Sequence, residues 1–446
     1  MGVAVDVLLF NLWRMCGGPM DWGGREEVKA AVVESLRRGE NVLLVAPTGW
    51  GKTTLAAEVA REIARERPVV YLTPTLTLAV EKVWPLLRGA GSVILTAGAT
   101  APGMCPRGFK HYPQRMCGRC PLRKAAEVKL PAEATYSDLV ELTPEDACPY
   151  WVQRAVEKAY RIRVGHFGRL RHLYTPGALV VVDEVHEMLM PAIHRVELSD
   201  FGLAVSDVGA LREWVEAALE RATAEEELER LYYLRDLLSK PAVWIEVEDG
   251  NAVLYAAELR GLPREAQIFG LTATPPPTPP EGWRALKVES VKKRALLYGE
   301  CFYYSALNRY GGDEWFARAV QPLYGLLKDR YTAIFAPAYV RWMLRYTPLD
   351  NLVGRGVAVV FEAWGRYRVG VDLVDFDAVL VFWPSLHISA RRALAARGVD
   401  PDAVELVNAV QLAGRARGAE VVVFADCRYA RHRQYLEQFY ELEEVG

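Results

Sequence analysis

The sequence predicts an α/β protein with two parallel-sheet domains. Short apolar runs alternate with helical stretches along most of the 446 residues, as in doubly wound parallel sheets. A glycine-bracketed loop joins the first strand candidate directly to a helix, which is the setting of a phosphate site. The run Thr274–Pro280, five prolines in seven residues, can continue neither a helix nor a strand and separates the two domains.

Composition places the chain among globular proteins of two or three domains. Hydrophobic residues make up 51% of it, and 54 basic residues nearly balance 56 acidic ones. No apolar run approaches the roughly 18 residues of a membrane span, and Asp6 stands where a signal peptide carries basic residues. We therefore expect a cytoplasmic protein with no membrane partner. Asn and Gln together number only 13, which fits a thermophile and keeps disulfides among the alternatives for the cysteines.

The first domain begins with elements that lead into the phosphate loop. Apolar residues recur at helical spacing at Val28, Val32 and Leu36, and Gly39 can end that helix. The elements expected next are a strand at 41–46, a helix at 52–66, and strands at 69–73 and 93–96.

The run Ala46-Pro-Thr-Gly-Trp-Gly-Lys-Thr-Thr54 is the candidate phosphate loop. Backbone N–H groups around Gly49 and Gly51 can surround phosphate oxygens. Lys52 would reach the β- and γ-phosphates, while Thr53, with Thr54 beside it, would bind Mg²⁺ through its hydroxyl. The alternative is a chance Gly-Lys-Thr sequence in an ordinary loop, but the strand before it and the helix behind it favour binding of ATP and Mg²⁺.

An acidic pair follows the next buried strand candidate, Ala178–Val182. Asp183 would hold Mg²⁺ together with Thr53, and Glu184 is the candidate base that orients the attacking water. The alternative is a solvated helix start. Both carboxylates follow a strand, as the phosphate loop does, so the two runs together predict ATP hydrolysis.

Between these two runs the chain loses its periodic pattern and gains four cysteines: Cys105, Cys117, Cys120 and Cys148. The segment 105–130 holds seven Lys or Arg against Glu127, and 151–172 holds six against Glu157. Aromatic residues are interleaved with these cations, a combination suited to single-stranded nucleic acid. The alternative for each residue is a solvated helix face with the ring turned inward.

Spacing alone leaves the role of the four cysteines open. Thiolates separated by eleven, two and twenty-seven residues can bind Zn²⁺ tetrahedrally or hold a 4Fe-4S cluster, and disulfides are a third alternative. Zinc is the interpretation that spacing alone favours. Cys16, Cys301 and Cys427 stand apart and are expected to be core or surface thiols.

After Asp183 the chain leaves the sheet for a second insertion. Apolar residues at helical spacing between Leu211 and Leu238 predict a helical hairpin. It lies in the acidic segment 197–260, which has 15 acids and six basic residues. Alternating residues around Asp249-Gly250 then predict a β-hairpin.

The second domain follows the prolines. Four apolar strand candidates alternate with helical stretches there: Thr332–Phe335, Val357–Phe361, Ala378–Phe382 and Glu420–Phe424.

Several of these runs resemble the motifs of superfamily 2 helicases. The phosphate loop, Asp-Glu-Val-His186, Leu271-Thr-Ala-Thr-Pro275 and Gln411-Leu-Ala-Gly-Arg-Ala-Arg417 are similar to motifs I, II, III and VI. A Cys-Pro-Tyr beginning at Cys148, which closes a four-cysteine insertion between motifs I and II, resembles the XPD and DinG group of iron–sulfur helicases.

The resemblance implies two RecA-like domains, with an iron–sulfur insertion and a short helical arch insertion in the first. It implies catalytic roles for Gln411, Arg415 and Arg417, and a cleft-to-strand link through Gly370 and Asp372. It also implies a 4Fe-4S cluster on the four cysteines. The chain departs from the family pattern in three places: Gly418 replaces the last arginine of motif VI, Val28 replaces an expected glutamine, and the arginine expected shortly before Cys105 is missing from 97–103.

These features together predict an ATP-dependent DNA helicase. The resemblance implies movement 5′ to 3′ on single-stranded DNA, action on forked DNA, a role in repair, and a monomer with unknown protein partners. The alternatives are an ATP-gated DNA clamp and an RNA-directed motor. The expected divisions of the chain are the first RecA-like domain at 1–96, 151–195 and 243–280, the cysteine insertion at 97–150, the arch at 196–242 and the second RecA-like domain at 281–446.

Overall fold

A computed structural model of the protein describes residues 24–445 except 48, 109–116, 118–119, 124–126, 190, 249–250, 260, 264, 276–279, 289–291, 303–311, 365–372, 374 and 417. The chain divides into two compact units. The first comprises 1–272, 280–288 and 388–397, and the second comprises 273–279, 289–387 and 398–446.

The strands are β1 (Asn41–Val45), β2 (Val69–Thr73), β3 (Val93–Leu95), β4 (Glu133–Thr135), β5 (Ile162–His166), β6 (Leu179–Val182), β7 (Pro191–Glu197), β8 (Ala242–Glu248), β9 (Asn251–Leu259), β10 (Gln267–Thr272), β11 (Trp283–Lys287), β12 (Lys293–Tyr298), β13 (Thr332–Ala336), β14 (Ala358–Glu362), β15 (Ala378–Phe382), β16 (Val421–Ala425) and β17 (Tyr440–Val445).

The α-helices are α1 (Arg25–Arg37), α2 (Lys52–Ile63), α3 (Leu76–Leu78), α4 (Trp84–Leu87), α5 (Tyr136–Leu142), α6 (Pro149–Val156), α7 (Leu170–Leu173), α8 (His186–Leu189), α9 (Val208–Arg221), α10 (Glu225–Leu238), α11 (Gly312–Ala319), α12 (Gln321–Leu327), α13 (Ala338–Leu344), α14 (Pro348–Gly354), α15 (Ile388–Ala395), α16 (Pro401–Arg415), α17 (Arg428–Arg431) and α18 (Arg433–Leu436). A π-helix spans Ala79–Val83, and 3₁₀ turns span Glu157–Ala159, Phe167–Arg169 and Leu198–Phe201. No helix in the described part of the chain is long and apolar enough to cross a membrane.

The first unit contains an eight-stranded sheet in the order β11-β1-β10-β6-β2-β5-β3-β4, and every pairing is parallel. Helices α1 and α2 pack on one face through Val28, Leu36, Leu55 and other apolar residues, while α7 covers the other face. Val28 is fully buried, which explains an apolar residue where the resemblance expects glutamine.

The second unit contains a six-stranded parallel sheet in the order β14-β13-β15-β16-β12-β17. Its core gathers Phe302, Phe316 and Phe382 in edge-to-face and stacked contacts beneath α11 and α12. Two parallel sheets confirm the predicted fold class of two RecA-like domains.

Three of the expected divisions need correction. First, β11 and helix α15 were expected in the second domain, but β11 pairs with β1 at the edge of the first sheet and α15 belongs to the first unit. Second, β4 lies inside the predicted cysteine insertion, but it extends the first sheet through β3.

The third correction concerns the helical hairpin. Helices α9 and α10 pack on a separate antiparallel sheet, β7-β9-β8, through Leu211, Leu234 and Leu254. This apolar contact joins 191–259 into one module, so the β-hairpin at 242–259 goes with the helices and not with the large sheet.

Cys301 and Cys427 form a disulfide across 126 residues of sequence. The interpretation of both as isolated thiols was therefore wrong. The reason is topological: β12 and β16 are parallel neighbours, and both cysteines follow the carboxyl ends of these strands. Pairing at that distance in sequence removes substantial loop entropy from the unfolded chain.

We predict that reducing this disulfide lowers the free energy of unfolding of the second unit by about 2–5 kcal/mol, because a long loop is then free in the unfolded state. Urea unfolding with and without reductant measures the difference. The matched control is the double variant C301S/C427S. Its free energy of unfolding should equal that of the reduced protein and should not change when reductant is added. A wild-type protein whose Cys301 is alkylated without prior reduction contradicts the assignment.

Candidate nucleotide site and cysteine module

The phosphate loop follows β1 and ends at α2. Gly49 and Gly51 have φ of 87° and 97°, which only glycine adopts without strain. Gly51 is the N-cap of α2 and makes no side-chain cap, so the first N–H groups of that helix stay directed at the loop. The Lys52 ammonium donates to the backbone oxygens of Ala46 (2.8 Å) and Pro47 (3.1 Å) and is only 8% exposed.

A direct hydrogen bond joins the two side chains expected to bind Mg²⁺, one a hydroxyl and the other a carboxylate. The Thr53 hydroxyl donates to an Asp183 carboxylate oxygen at 2.9 Å, across 130 residues of sequence. Removal from water and the neighbouring Glu184 charge raise the pKa of Asp183 to about 6, while Thr53 and Lys52 oppose the rise. A hydroxyl and a carboxylate at this separation are oxygen ligands of the kind that Mg²⁺ takes.

Glu184 is the one non-glycine residue with positive φ (54°) in the described part of the chain. Backbone strain of this kind concentrates at functional sites. Its carboxylate lies 3.5 Å from Nδ1 of the buried His186, and that nitrogen also lies 2.7 Å from the Thr272 hydroxyl. His186 therefore ties the acidic pair to the end of β10.

Backbone hydrogen bonds fix these strand ends against one another. Ala46 N–H donates to Thr272, and Val185 N–H donates to Leu271. Asp183 N–H donates to Leu72 at the end of β2. The loop, the acidic pair and the Thr272 turn therefore share one edge of the sheet, where ligands bind in parallel α/β folds.

In the second unit, α16 carries Gln411 and Arg415. Gln411 is 6% exposed, and both polar atoms of its amide are buried without a hydrogen-bond partner among the described residues. An unsatisfied buried amide costs about 1–3 kcal/mol, which a ligand could recover. Arg415 is half-buried, and its backbone oxygen accepts from Leu373 N–H. Arg417, Gly370 and Asp372 lie outside the described residues.

A buried polar network lies beside the disulfide, and sequence reasoning gave it no role. Asp426 accepts from Phe302 N–H (3.1 Å) and from the Arg428 guanidinium (2.7 Å). Burial alone would lower the pKa of Arg428, but Asp426 raises it above its usual value. Arg428 also donates to Ser385, and the Tyr339 hydroxyl donates to the Phe302 backbone. In the sequence, the consecutive residues Asp426, Cys427 and Arg428 are the pattern that corresponds to this network.

The four cysteines of the insertion are free thiols, with Cys148 buried and the others half-buried. Met104, next to Cys105, accepts from the Cys148 thiol at 3.7 Å. Burial raises the pKa of Cys148, and the nearby Cys105 and Cys117 raise it further. In the described residues, no group of three or more His, Cys, Asp or Glu forms an arrangement able to hold a metal ion. The donor chemistry nonetheless fits a thiolate-bound metal, because N–H donors already face the sulfurs.

Trp151 provides the clearest of these donors. Its indole N–H donates to the Cys117 sulfur at 3.1 Å. The guanidinium groups of Arg123 and Arg154 lie over its ring at 4.4 and 5.1 Å, within cation–π range. One ring thus joins the cysteine segment to α6, a contact that the sequence pattern did not reveal.

Part of the basic segment 151–172 is structural. Arg163 and Arg169 are each 2% exposed, and Tyr150 and Tyr160 are buried. Arg169 pairs with the buried Glu157 and donates to the Tyr150 hydroxyl at 3.2 Å. These buried side chains are not accessible to a nucleic acid strand. Lys158, Arg161 and Arg171 are exposed and Arg154 is half-buried, so the cationic surface of this segment has fewer members than its sequence predicts.

Three comparisons bear on these geometries. Residues 26–91 match the DEAD/DEAH box helicase family model. No curated protein matches the chain. An XPD helicase structure is similar at TM-score 0.64 and 14% identity, covering 94% of this chain and 99% of that one. An apo XPD structure is similar at TM-score 0.53 and 13% identity, covering 94% and 100%.

Xpd4 of S. tokodaii is similar at TM-score 0.50 and 11% identity, covering 95% of this chain and 99% of that one. These likenesses extend over both sheets, and the helicase match falls on the segment that holds the phosphate loop. They confirm the resemblance to the XPD helicases at the level of the fold. The chain carries a DEAD/DEAH box helicase segment within the fold of the XPD helicases.

Proposed function

We propose that this protein is an ATP-dependent DNA helicase that moves on single-stranded DNA. The observation that carries the proposal is the hydrogen bond between Thr53 and Asp183, beside Lys52 and Glu184, in a chain with the XPD fold. A phosphate loop, a hydroxyl and two carboxylates on one sheet edge are the groups that hydrolysis of a nucleoside triphosphate with Mg²⁺ requires.

Each residue of this edge has a separate task in the proposed reaction. Lys52 turns from the two backbone oxygens that it contacts here to the β- and γ-phosphates of ATP. Thr53 and Asp183 would hold Mg²⁺, which would neutralise phosphate charge, and an Asp183 carboxyl with its pKa at about 6 is mostly ionised at neutral pH. Glu184 orients the attacking water and takes its proton.

The resemblance assigns the remaining groups to the second unit. We propose on that basis that the Gln411 amide, which is buried without a hydrogen-bond partner among the described residues, binds the nucleotide or the attacking water, and that Arg415 stabilises charge on the γ-phosphate. The resemblance assigns Gly370 and Asp372 to the link between hydrolysis and strand movement. Dependence of hydrolysis on residues of both units is how ATP binding can drive translocation.

Single-stranded and forked DNA are the proposed substrates, in repair and with 5′ to 3′ movement. The proposal rests on the resemblance and on the exposed or half-buried cations Arg123, Arg154 and Arg161. The test is strand displacement on forked DNA with 5′ or 3′ tails, alongside DNA-stimulated ATPase. ATPase without displacement would favour a DNA clamp, as Gly418 and the acidic hairpin do, whereas displacement of RNA duplexes alone would favour an RNA motor.

We also propose a 4Fe-4S cluster on Cys105, Cys117, Cys120 and Cys148. What supports it is the family resemblance together with four free thiols and the Trp151 donor at one sulfur. The cluster would organise the DNA-facing insertion. Zinc, bound by the same thiolates, is the alternative.

We predict that Lys52→Ala reduces ATPase by at least about 10²-fold, because a charge aimed at the transferring phosphate is lost. Glu184→Gln should retain ATP binding and stop turnover, since it removes the base and keeps the shape. Steady-state ATPase and nucleotide binding separate the two effects. Lys82→Ala, at an exposed lysine of the same unit, is the control and should leave both unchanged. Wild-type turnover by the Glu184→Gln variant would contradict the assignment of Glu184 as the base.

Protein purified without oxygen should contain about four iron and four acid-labile sulfide per chain, measured by elemental and sulfide analysis. Cys148→Ser should lose both and weaken unwinding more than basal ATPase, because the cysteines lie apart from Lys52 in sequence and contact. C301S/C427S is the control and should keep the iron. Stoichiometric zinc without sulfide contradicts the cluster.

The irregular end of motif VI gives a further prediction. An arginine that reaches the phosphates is worth about 10³ to 10⁵ in turnover in comparable sites. We expect Arg417 to replace the arginine missing at Gly418, so Arg417→Ala should cut DNA-stimulated ATPase severely and leave ATP affinity nearly intact. Gly418→Arg should not restore that variant. A harmless Arg417→Ala together with an accelerating Gly418→Arg would instead favour the slow clamp.

A further inference from the structure

An aromatic and basic surface lies on α13 and α14 of the second unit. Trp342 is 52% exposed and Tyr346 is 59% exposed, and their rings meet edge to face at 5.4 Å. Val353, on α14, is a third exposed apolar residue there. Exposed large rings cost free energy in water, so this contacting pair, one ring on α13 and one in the turn that follows it, is a candidate binding surface.

The charge of this surface is positive. Between 341 and 355 the chain has Arg341, Arg345 and Arg355 against the single acid Asp350. Arg345 and Arg355 are exposed, while Arg341 lies 4.0 Å from Glu362 at the limit of an ion pair. The net charge favours an anionic occupant.

A cavity of about 190 Å³ opens between α13 and α14. Leu344, Leu349 and Val360 form apolar walls, and Arg341, Arg345 and Asp350 supply polar groups. Apolar walls with a few polar groups are the composition of a small ligand site.

This surface runs from one edge of the sheet toward the other. Helix α13 begins two residues after the carboxyl end of β13, and Arg341 on this helix lies 4.0 Å from Glu362, the last residue of β14. Val357, two residues after Arg355, accepts from the N–H of Thr332, the first residue of β13. The Arg355 end of the surface is therefore near the amino-terminal edge of the sheet, opposite the edge that Arg341 approaches.

We propose that this surface is a second binding site for single-stranded nucleic acid, where a base stacks on Trp342 or Tyr346 and the arginines contact phosphates. The inference rests on the proposed function, since a strand must be present to occupy it. Aromatic rings beside more basic than acidic residues are the composition of sequence-tolerant single-strand sites. A docked protein would be expected to match the rings with a larger apolar area.

Binding of fluorescein-labelled dT20 to the full-length protein, measured by anisotropy at several salt concentrations, tests the inference. Trp342→Ala should weaken binding five- to tenfold or more, because base stacking contributes about 1–3 kcal/mol. Trp342→Phe should recover most of the affinity. Arg345→Glu should reduce the salt slope by about 0.7 or more. Arg318→Glu, at an exposed arginine of α11, is the charge-matched control and should change neither.

Photocrosslinking with a bromodeoxyuridine-substituted dT20 locates the contact directly. Trypsin releases residues 342–345 and 346–355 as separate peptides, so mass spectrometry should find the crosslink on one or both. Unchanged thermal midpoints exclude unfolding as the cause of weaker binding. Tight binding by every variant, with crosslinks only elsewhere, overturns this inference and leaves the helicase proposal intact. Weaker binding by the variants without a crosslink in these two peptides also overturns the inference. A wild-type protein that does not bind dT20 contradicts both the inference and the helicase proposal.

Discussion

The parallel register of β1, β10, β6 and β2 is the constraint on which the nucleotide site depends. Because all four strands run the same way, their carboxyl ends meet at one edge. Ala46 and Asp183 are held there by backbone hydrogen bonds to neighbouring strand ends, and the Thr53 hydroxyl then reaches Asp183 at 2.9 Å. A shift of one residue in this register would turn every strand side chain to the other face and separate the pair.

The site and the fold were predictable where the signal is local. A glycine loop between an apolar run and a helical run predicts its own position, because strand, loop and helix are consecutive in sequence. The acidic pair after Val182 is equally local, and both sheets follow from the alternation of short elements. Among the expected site residues, Lys52, Thr53, Asp183 and Glu184 come together at one edge. The roles of Gln411 and Arg415 rest on the resemblance.

Contacts between distant segments were not predictable, because no local pattern encodes them. Cys301 and Cys427 are 126 residues apart and meet only because β12 and β16 are neighbours. The strand β11 follows prolines that suggested a domain boundary, yet its register continues the first sheet beside β1. In the sequence, Trp151 is one of several aromatic residues among basic ones. Only its contact with Cys117 in the structure distinguishes it from the others.

The arginines of the chain show that the number of charges in a segment does not by itself identify a binding surface. The segment 151–172 has six cations against one acid, but Arg169 and Glu157 neutralise each other in the interior and Arg163 donates to backbone oxygens at Tyr160, Leu173 and Lys158. Burying a guanidinium without such partners would cost several kcal/mol, so its hydrogen bonds are a condition of folding. Lys158, Arg161 and Arg171 stay exposed, but the rings of Tyr150 and Tyr160 are buried, whereas the segment 341–355 has two exposed arginines together with two exposed rings.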